Sequence, residues 1–182
     1  MSTAISLRSA MRADAEAIAA LHAAVWHETY RHLAPPAAVA ALTEARRLQH
    51  WQDMLGEDIP GRLTLVAEAD TQIIGFMHAA APQEPLFGER YEIKHLYVDR
   101  RLARRGIGRL LLKQIALMLL ARGHRAMALG VVAGNEPAIR FYEALGGKLS
   151  GRYTDPGPLW RSDNLLYAWD DLAAFVEPSS GG

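Results

Sequence analysis

The stretch RRLARRGIGRLLLKQIALMLLARG, Arg100 to Gly123, sets two glycines one residue apart behind a cluster of arginines and at the head of a long apolar helix pattern. A helix start exposes unpaired N–H groups and carries partial positive charge, so it favours anions. Glycine lets a bulky anion approach the backbone, and arginine adds mobile positive charge. The chemistry this stretch could do is phosphate binding. The amides of Arg105 to Arg109 would face a pyrophosphate, with the Arg104, Arg105 and Arg109 side chains on further phosphates. It is not a Walker A loop, which needs GxxxxGK[ST], and the third glycine of a Rossmann fingerprint is Leu111 here. By itself it is equally a plain helix start with solvated arginines.

Two further stretches carry residues fit for proton chemistry. YEIKHLYV, residues 91–98, reads as a strand and holds Glu92 and His95. Strand side chains alternate, so Glu92, Lys94, Leu96 and Val98 point one way and Ile93, His95 and Tyr97 the other. Only a bulge would bring Glu92 and His95 to one face. NEPAIRFYEALGGK places Asn135 at a helix start, with Phe141 and Tyr142 towards its end. Asparagine caps helices for ordinary reasons, and a helical tyrosine is usually core. Trp26 and Tyr30, four apart on a first helix, share a face.

Other chemistries are excluded. The seven histidines show neither HExxH nor another tight ligand spacing, so no metal is expected. The chain has no cysteine, hence no disulfide, thiolate metal site or cysteine nucleophile. Lys plus Arg and Asp plus Glu both total 20, and a formal net charge of +0 argues against a dedicated nucleic-acid binder. The N-terminus lacks the pattern of a signal peptide, and Leu110–Ala121 is interrupted by Lys113 and Gln114. A soluble cytoplasmic protein with no membrane partner is expected.

The elements that must position these residues follow from hydrophobic period and turn residues. Ile5–Ser9 reads as a strand and Asp14 opens a helix with Ile18, Leu21 and Val25 inward. Pro35-Pro36 separates it from a second helix marked by Val39, Leu42, Leu48, Trp51 and Leu55, with Gly56 as its cap. RLTLVAEADTQIIGFMHAA reads as a hairpin turning at Asp70–Gln72, and APQEPLFGER as a loop. After the glycine-headed helix come the strand AMALGVV, the helix from Asn135, the strand KLSGRY, a loop TDPGPLWRSDN and the strand LLYAWD. The order is β-α-α-β-β-β-α-β-α-β-β, an α/β chain with one mixed sheet and helices on its faces. With 182 residues, half of them hydrophobic, one domain over residues 1–175 and a disordered tail over 176–182 are expected.

In this order and at this spacing, RRGIG followed by NEPAIRFYEALGGK resembles the GNAT superfamily of acyl-CoA-dependent N-acetyltransferases. The resemblance spans essentially the whole chain, and the opening LRSAMRADAEAIAALHAAVWHETYRHLAP is similar to the start of many bacterial members. It implies a GNAT-like fold in which YEIKHLYV and MALGVV run parallel and then splay apart. Acetyl-CoA would enter the gap as cosubstrate. Its pantetheine arm would pair with the backbone of Leu96, Tyr97 and Val98, like an added strand. Its pyrophosphate would sit on Arg104, Arg105, Gly106, Ile107, Gly108 and Arg109, and Asn135 matches a coenzyme contact. The family pattern Gln/Arg-x-x-Gly-x-Gly/Ala meets Ala103 at its first position here, while the two glycines and the backbone amides remain.

The implied reaction is acetyl transfer to a primary amine by direct attack in a ternary complex. A lysine-like amine, with a pKa of about 10.4, must first lose a proton. Glu92 occupies the family position of the base, and Tyr142 that of the general acid near the thiol. The Val98 N–H is the candidate oxyanion donor. Glu92 is otherwise a solvated strand carboxylate, and Tyr142 otherwise packs against the cofactor. Trp26 and Tyr30 are expected to shape the acceptor pocket, with His27, Glu28 and Phe87 beside them. Glu28, Glu84 and Glu89 would favour a cationic amine. A small-molecule amine is the expected partner. Acetylation of a protein lysine or N-terminus, a CoA-binding regulatory module without turnover, and a homodimer all stay open.

Overall fold

Alternating apolar residues build two strands, β2 (Leu63–Ala69) and β3 (Gln72–Ala80), in a computed structural model that describes residues 4–57 and 59–177. Between them Asp70 and Thr71 take φ of 48° and 67°, the positive pair that a tight two-residue hairpin turn requires. β1 (Ser6–Ser9) pairs with β2, and β4 (Tyr91–Val98) pairs with β3. β5 (Met127–Val132), β6 (Lys148–Asp155) and β7 (Ser162–Trp169) complete a seven-stranded sheet in the order β1-β2-β3-β4-β5-β7-β6. Neighbours are antiparallel except β4 and β5, which run parallel and pair only from Tyr91↔Met127 to Ile93↔Leu129. Beyond Ile93 the two strands part.

Helices cover both faces. On one, α1 (Ala15–Tyr30) and α3 (Glu44–Gly56) seat Ile18, Ala19 and Trp51 against Val66 and Phe76. On the other, α4 (Ile107–Ala121) buries Leu111, Leu112, Ile115 and Leu119 against Leu65, Met77 and Ile93. Each such side chain contributes roughly 1.5–3 kcal/mol of burial. α5 (Glu136–Ala144) adds Ile139 to that face, and α6 (Leu172–Val176) adds Leu172.

Four boundaries differ from the sequence reading. The single second helix is two, α2 (Pro36–Ala41) and α3, because Thr43 is extended and its hydroxyl accepts the Arg46 N–H at 3.3 Å, starting a new helix. β6 and β7 reach further towards each other than KLSGRY and LLYAWD. Their extra rungs are polar, with the Thr154 hydroxyl donating to Asp163 at 3.0 Å, so apolar alternation does not reveal them. The expected tail loses Val176 to α6, whose start Asp171 caps by accepting from Ala174 N–H at 3.0 Å. Residues 178–182 of that tail lie outside the described residues. No helix among the described residues is long and apolar enough to cross a membrane.

Candidate active site

The parting of β4 and β5 opens a cleft of about 570 Å³, walled by residues 93–98 of β4, 129–131 of β5, the head of α4 and the inner side of α5. The Asp99 N–H donates to the Ile74 carbonyl at 2.8 Å. Bonded and non-bonded pairs alternate along an antiparallel ladder, so Tyr97 spends its backbone groups on β3. Leu96 and Val98 turn theirs to the gap. Tyr97 reaches the cleft wall by other atoms, with its ring stacked on Phe76 at 5.5 Å.

At the head of α4, Arg104 and Gly106 hold left-handed φ values of 66° and 78°. Gly106 needs no empty space, since a Cβ there would meet nothing; it is required by its φ. Gly108 is different: a Cβ would lie 2.9 Å from Cζ of Phe141, so this glycine also lets α5 pack on α4. Arg104, Arg105 and Arg109 are exposed and make no ion pair among the described residues, whereas Arg101 is held by Asp99 at 2.6 Å. Ile107 points into the core. The arrangement fits a diphosphate, with free N–H groups, an open glycine approach and unpaired guanidinium groups together.

Asn135 caps α5 by accepting the Ala138 N–H at 3.4 Å, and its amide donates to the Tyr30 hydroxyl at 3.5 Å. Tyr142 lines the same cleft, and burial, reinforced by nearby Tyr30, pushes its hydroxyl well above the usual tyrosine value. It therefore stays protonated and able to donate.

Glu92 and His95 share a face, contrary to regular alternation. Ala79 faces Ile93 and His78 faces His95, so β4 advances two residues where β3 advances one, and Lys94 is the extra residue. Glu92 is partly buried, and Lys94 Nζ donates to its Oε2 at 2.7 Å. The His95 ring stands 4.9 Å from that of His22 and 6.1 Å from that of His78. Burial, aided by the positive groups of His78, His50, Arg47 and Lys94, holds His95 well below its ordinary pKa. Burial likewise takes His78 down to about 4 and His22 well below the usual range. No cluster of His, Cys, Asp and Glu fit for a metal ion occurs among the described residues.

The acetyltransferase (GNAT) family model matches residues 24–147, more than half of the chain. The chain belongs to the acetyltransferase (GNAT) family. Solved structures agree on the fold. PaiA N-acetyltransferase from Thermoplasma acidophilum, in complex with coenzyme A, is 19% identical with a TM-score of 0.70, covering 92% of this chain and 99% of that one. YncA from Salmonella typhimurium, solved with acetyl-CoA, is 19% identical with a TM-score of 0.68, covering 99% and 98%. Ribosomal-protein-alanine N-acetyltransferase from Brucella melitensis is 24% identical with a TM-score of 0.68, covering 91% and 99%.

In this GNAT chain Tyr30 lines the cleft, and Trp26, expected beside it in an acceptor pocket, stands behind it rather than in the cleft wall. The Trp26 and Tyr30 rings lie 5.2 Å apart, and Trp160, from the β6–β7 loop, stands 6.3 Å and 5.8 Å from them. His27 and Glu28 are exposed, the latter 3.7 Å from Arg100. Glu84 caps the turn at Leu86, accepting at 3.2 Å, and Glu89 is exposed. Phe87 is buried against Ala128, Leu166 and Ala168 and serves the core. Sequence reasoning missed Trp160, for which no local signal exists, and the buried polar group behind the wall, Arg47 with His22 and His78. Its signal was spacing: Arg47 lies one helical turn before inward-facing Trp51, and His22 one turn before Trp26.

Proposed function

We propose that this GNAT acetyltransferase moves the acetyl group of acetyl-CoA directly onto the primary amine of a small molecule. One observation carries the reading: the backbone groups of Leu96 and Val98 face a gap whose far end is the glycine–arginine head of α4. That is a strand-length slot ending in an anion cradle, the complement of an amide-bearing arm that ends in phosphates. Acetyl-CoA supplies the activated acetyl thioester.

The chain supplies the rest. The Val98 N–H donates to the thioester carbonyl oxygen, and its freedom from β3 supports that role. Glu92, on the acceptor face and oriented by Lys94, takes the amine proton, directly or through water. Tyr142 returns a proton to the leaving sulfur. The aromatic group of Trp26, Tyr30 and Trp160, which meets the cleft at Tyr30, supports a small acceptor over a protein segment. The test is thiol release from acetyl-CoA across an amine panel, with calorimetry of coenzyme binding beside it. Release with small amines supports the reading, release only with peptides moves the acceptor class, and binding without release leaves a regulatory module. No binding overturns the cofactor.

A further inference from the structure

Arg47 on α3 is 7% exposed, yet its Nε and Nη2 have no hydrogen-bond partner among the described residues. Its Nη1 lies 2.8 Å from His22 Nε2 and 3.3 Å from His22 Nδ1. His22 Nδ1 also receives the Trp51 indole N–H at 3.1 Å. A neutral imidazole has one acceptor nitrogen, so the guanidinium and the indole compete for a single lone pair. His78 Nε2, in the same cluster, is unpartnered too. No carboxylate forms an ion pair with Arg47 among the described residues. The group is rich in donors, short of acceptors and holds a buried charge without a counter-ion, which is the costly arrangement inside a protein.

The place matters as much as the deficit. Arg47 lies over the Trp26 ring at 5.3 Å, and Trp26 lies against Tyr30 of the cleft wall. The His22 ring stands 4.5 Å from Tyr97 and 4.9 Å from His95, both cleft-lining residues. The guanidinium is thus one ring layer behind the acceptor side. Its two unpartnered nitrogens, Nε and Nη2, form one edge of the fork, the edge that two carboxylate oxygens match. The surrounding histidines are held neutral by burial, so a single negative charge balances the site and a dianion overloads it.

We infer that Arg47 is the seat of a carboxylate carried by the acceptor, so that the amine acetylated here belongs to an amino acid or another amine bearing one carboxylate. The inference rests on the acetyltransfer reading and names its substrate class. The nitrogens are shielded from solvent, so a covering side chain must turn as the acceptor enters.

Matched acceptors test it: α- and ω-amino acids against their amides and decarboxylated amines, in the thiol-release assay. Some amino acid is expected to exceed its neutral counterpart by about 10²-fold or more in kcat/KM. Arg47→Met should bring that ratio close to one by raising KM, and Arg47→Lys, a point charge without a fork, should restore it only in part. A second readout needs no turnover: quenching of tryptophan emission by the preferred amino acid, lost in Arg47→Met. Calorimetry with acetyl-CoA on the same variant shows that it is folded. If neutral amines are acetylated as well as their carboxylated partners, or if Arg47→Met changes neither the ratio nor the quenching, the inference falls and acetyl transfer stands. If no acetyl-CoA binds to the unaltered chain, the acetyltransfer reading itself has failed.

Discussion

Glu92 and His95 lie on one face of β4 because Lys94 is an extra residue between them. They share that face although only His95 lines the cleft, so strand parity no longer separates them as proton acceptors. Their surroundings do. Glu92 keeps a charged partner and some exposure, whereas burial, followed by the neighbouring histidines and Arg47, opposes protonation of His95. Glu92→Gln is expected to lower kcat by about 10²-fold or more, with acetyl-CoA affinity retained. His95→Gln should be mild. The reverse ranking, measured under saturating coenzyme, would assign the proton to His95.

Tyr142 is held protonated by burial. Tyr142→Phe is expected to lower kcat about tenfold or more while leaving coenzyme affinity nearly unchanged. Single-turnover kinetics and calorimetry separate the two effects; weakened binding with normal turnover would make the ring a packing element.

The Gly108 contact with Phe141 predicts a rescue. Gly108→Ala alone forces the Phe141 ring away and should lower both the melting temperature and coenzyme affinity. Adding Phe141→Leu should recover the melting temperature. If affinity recovers with it, packing is the whole reason for the glycine; if it does not, the approach of phosphate is the second reason. Gly106→Ala, strained by its φ but free of contacts, should cost about 1–2 kcal/mol with no such rescue.

The histidine cluster makes stability depend on pH in a defined direction. His78 is neutral in the fold down to about 4, while the unfolded chain takes up its proton near about 6.5. Between those values the unfolded state binds more protons, so stability falls as pH falls and levels off above neutrality. For His78 alone the loss is about 3 kcal/mol by pH 4. Urea midpoints from pH 7.5 to 5 should trace the decline, and His78→Gln should flatten it.

What was legible in the sequence was what local chemistry writes there. The turn at Asp70–Thr71, the glycine head of α4 and the Asn135 cap each state their own geometry. The Lys94 bulge does not, because YEIKHLYV alternates well enough to hide an extra residue that only its partner strand reveals. Thr43 was hidden in a different way, since the apolar period runs on across Leu42 to Leu48 and masks a polar cap. Arg47 reads from sequence as a solvated helix arginine, and only the meeting of α1 with α3 encloses it. Phe87 is the opposite case, a loop residue whose loop folds back to bury it.

Among the described residues, three rungs, Tyr91 to Ile93, stitch the β1–β4 half of the sheet to the β5–β7–β6 half. The α4 core spans both halves, so the sheet's own hydrogen bonding is thin only along this seam, and a strand-like arm between Leu96 and the receding β5 would complete it. Amide hydrogen exchange should show it: the Leu96 and Val98 N–H groups exchange fast in the free chain and slow together when acetyl-CoA is added. That result would make the cosubstrate a structural member of the sheet, with the seam reopened at each release of product.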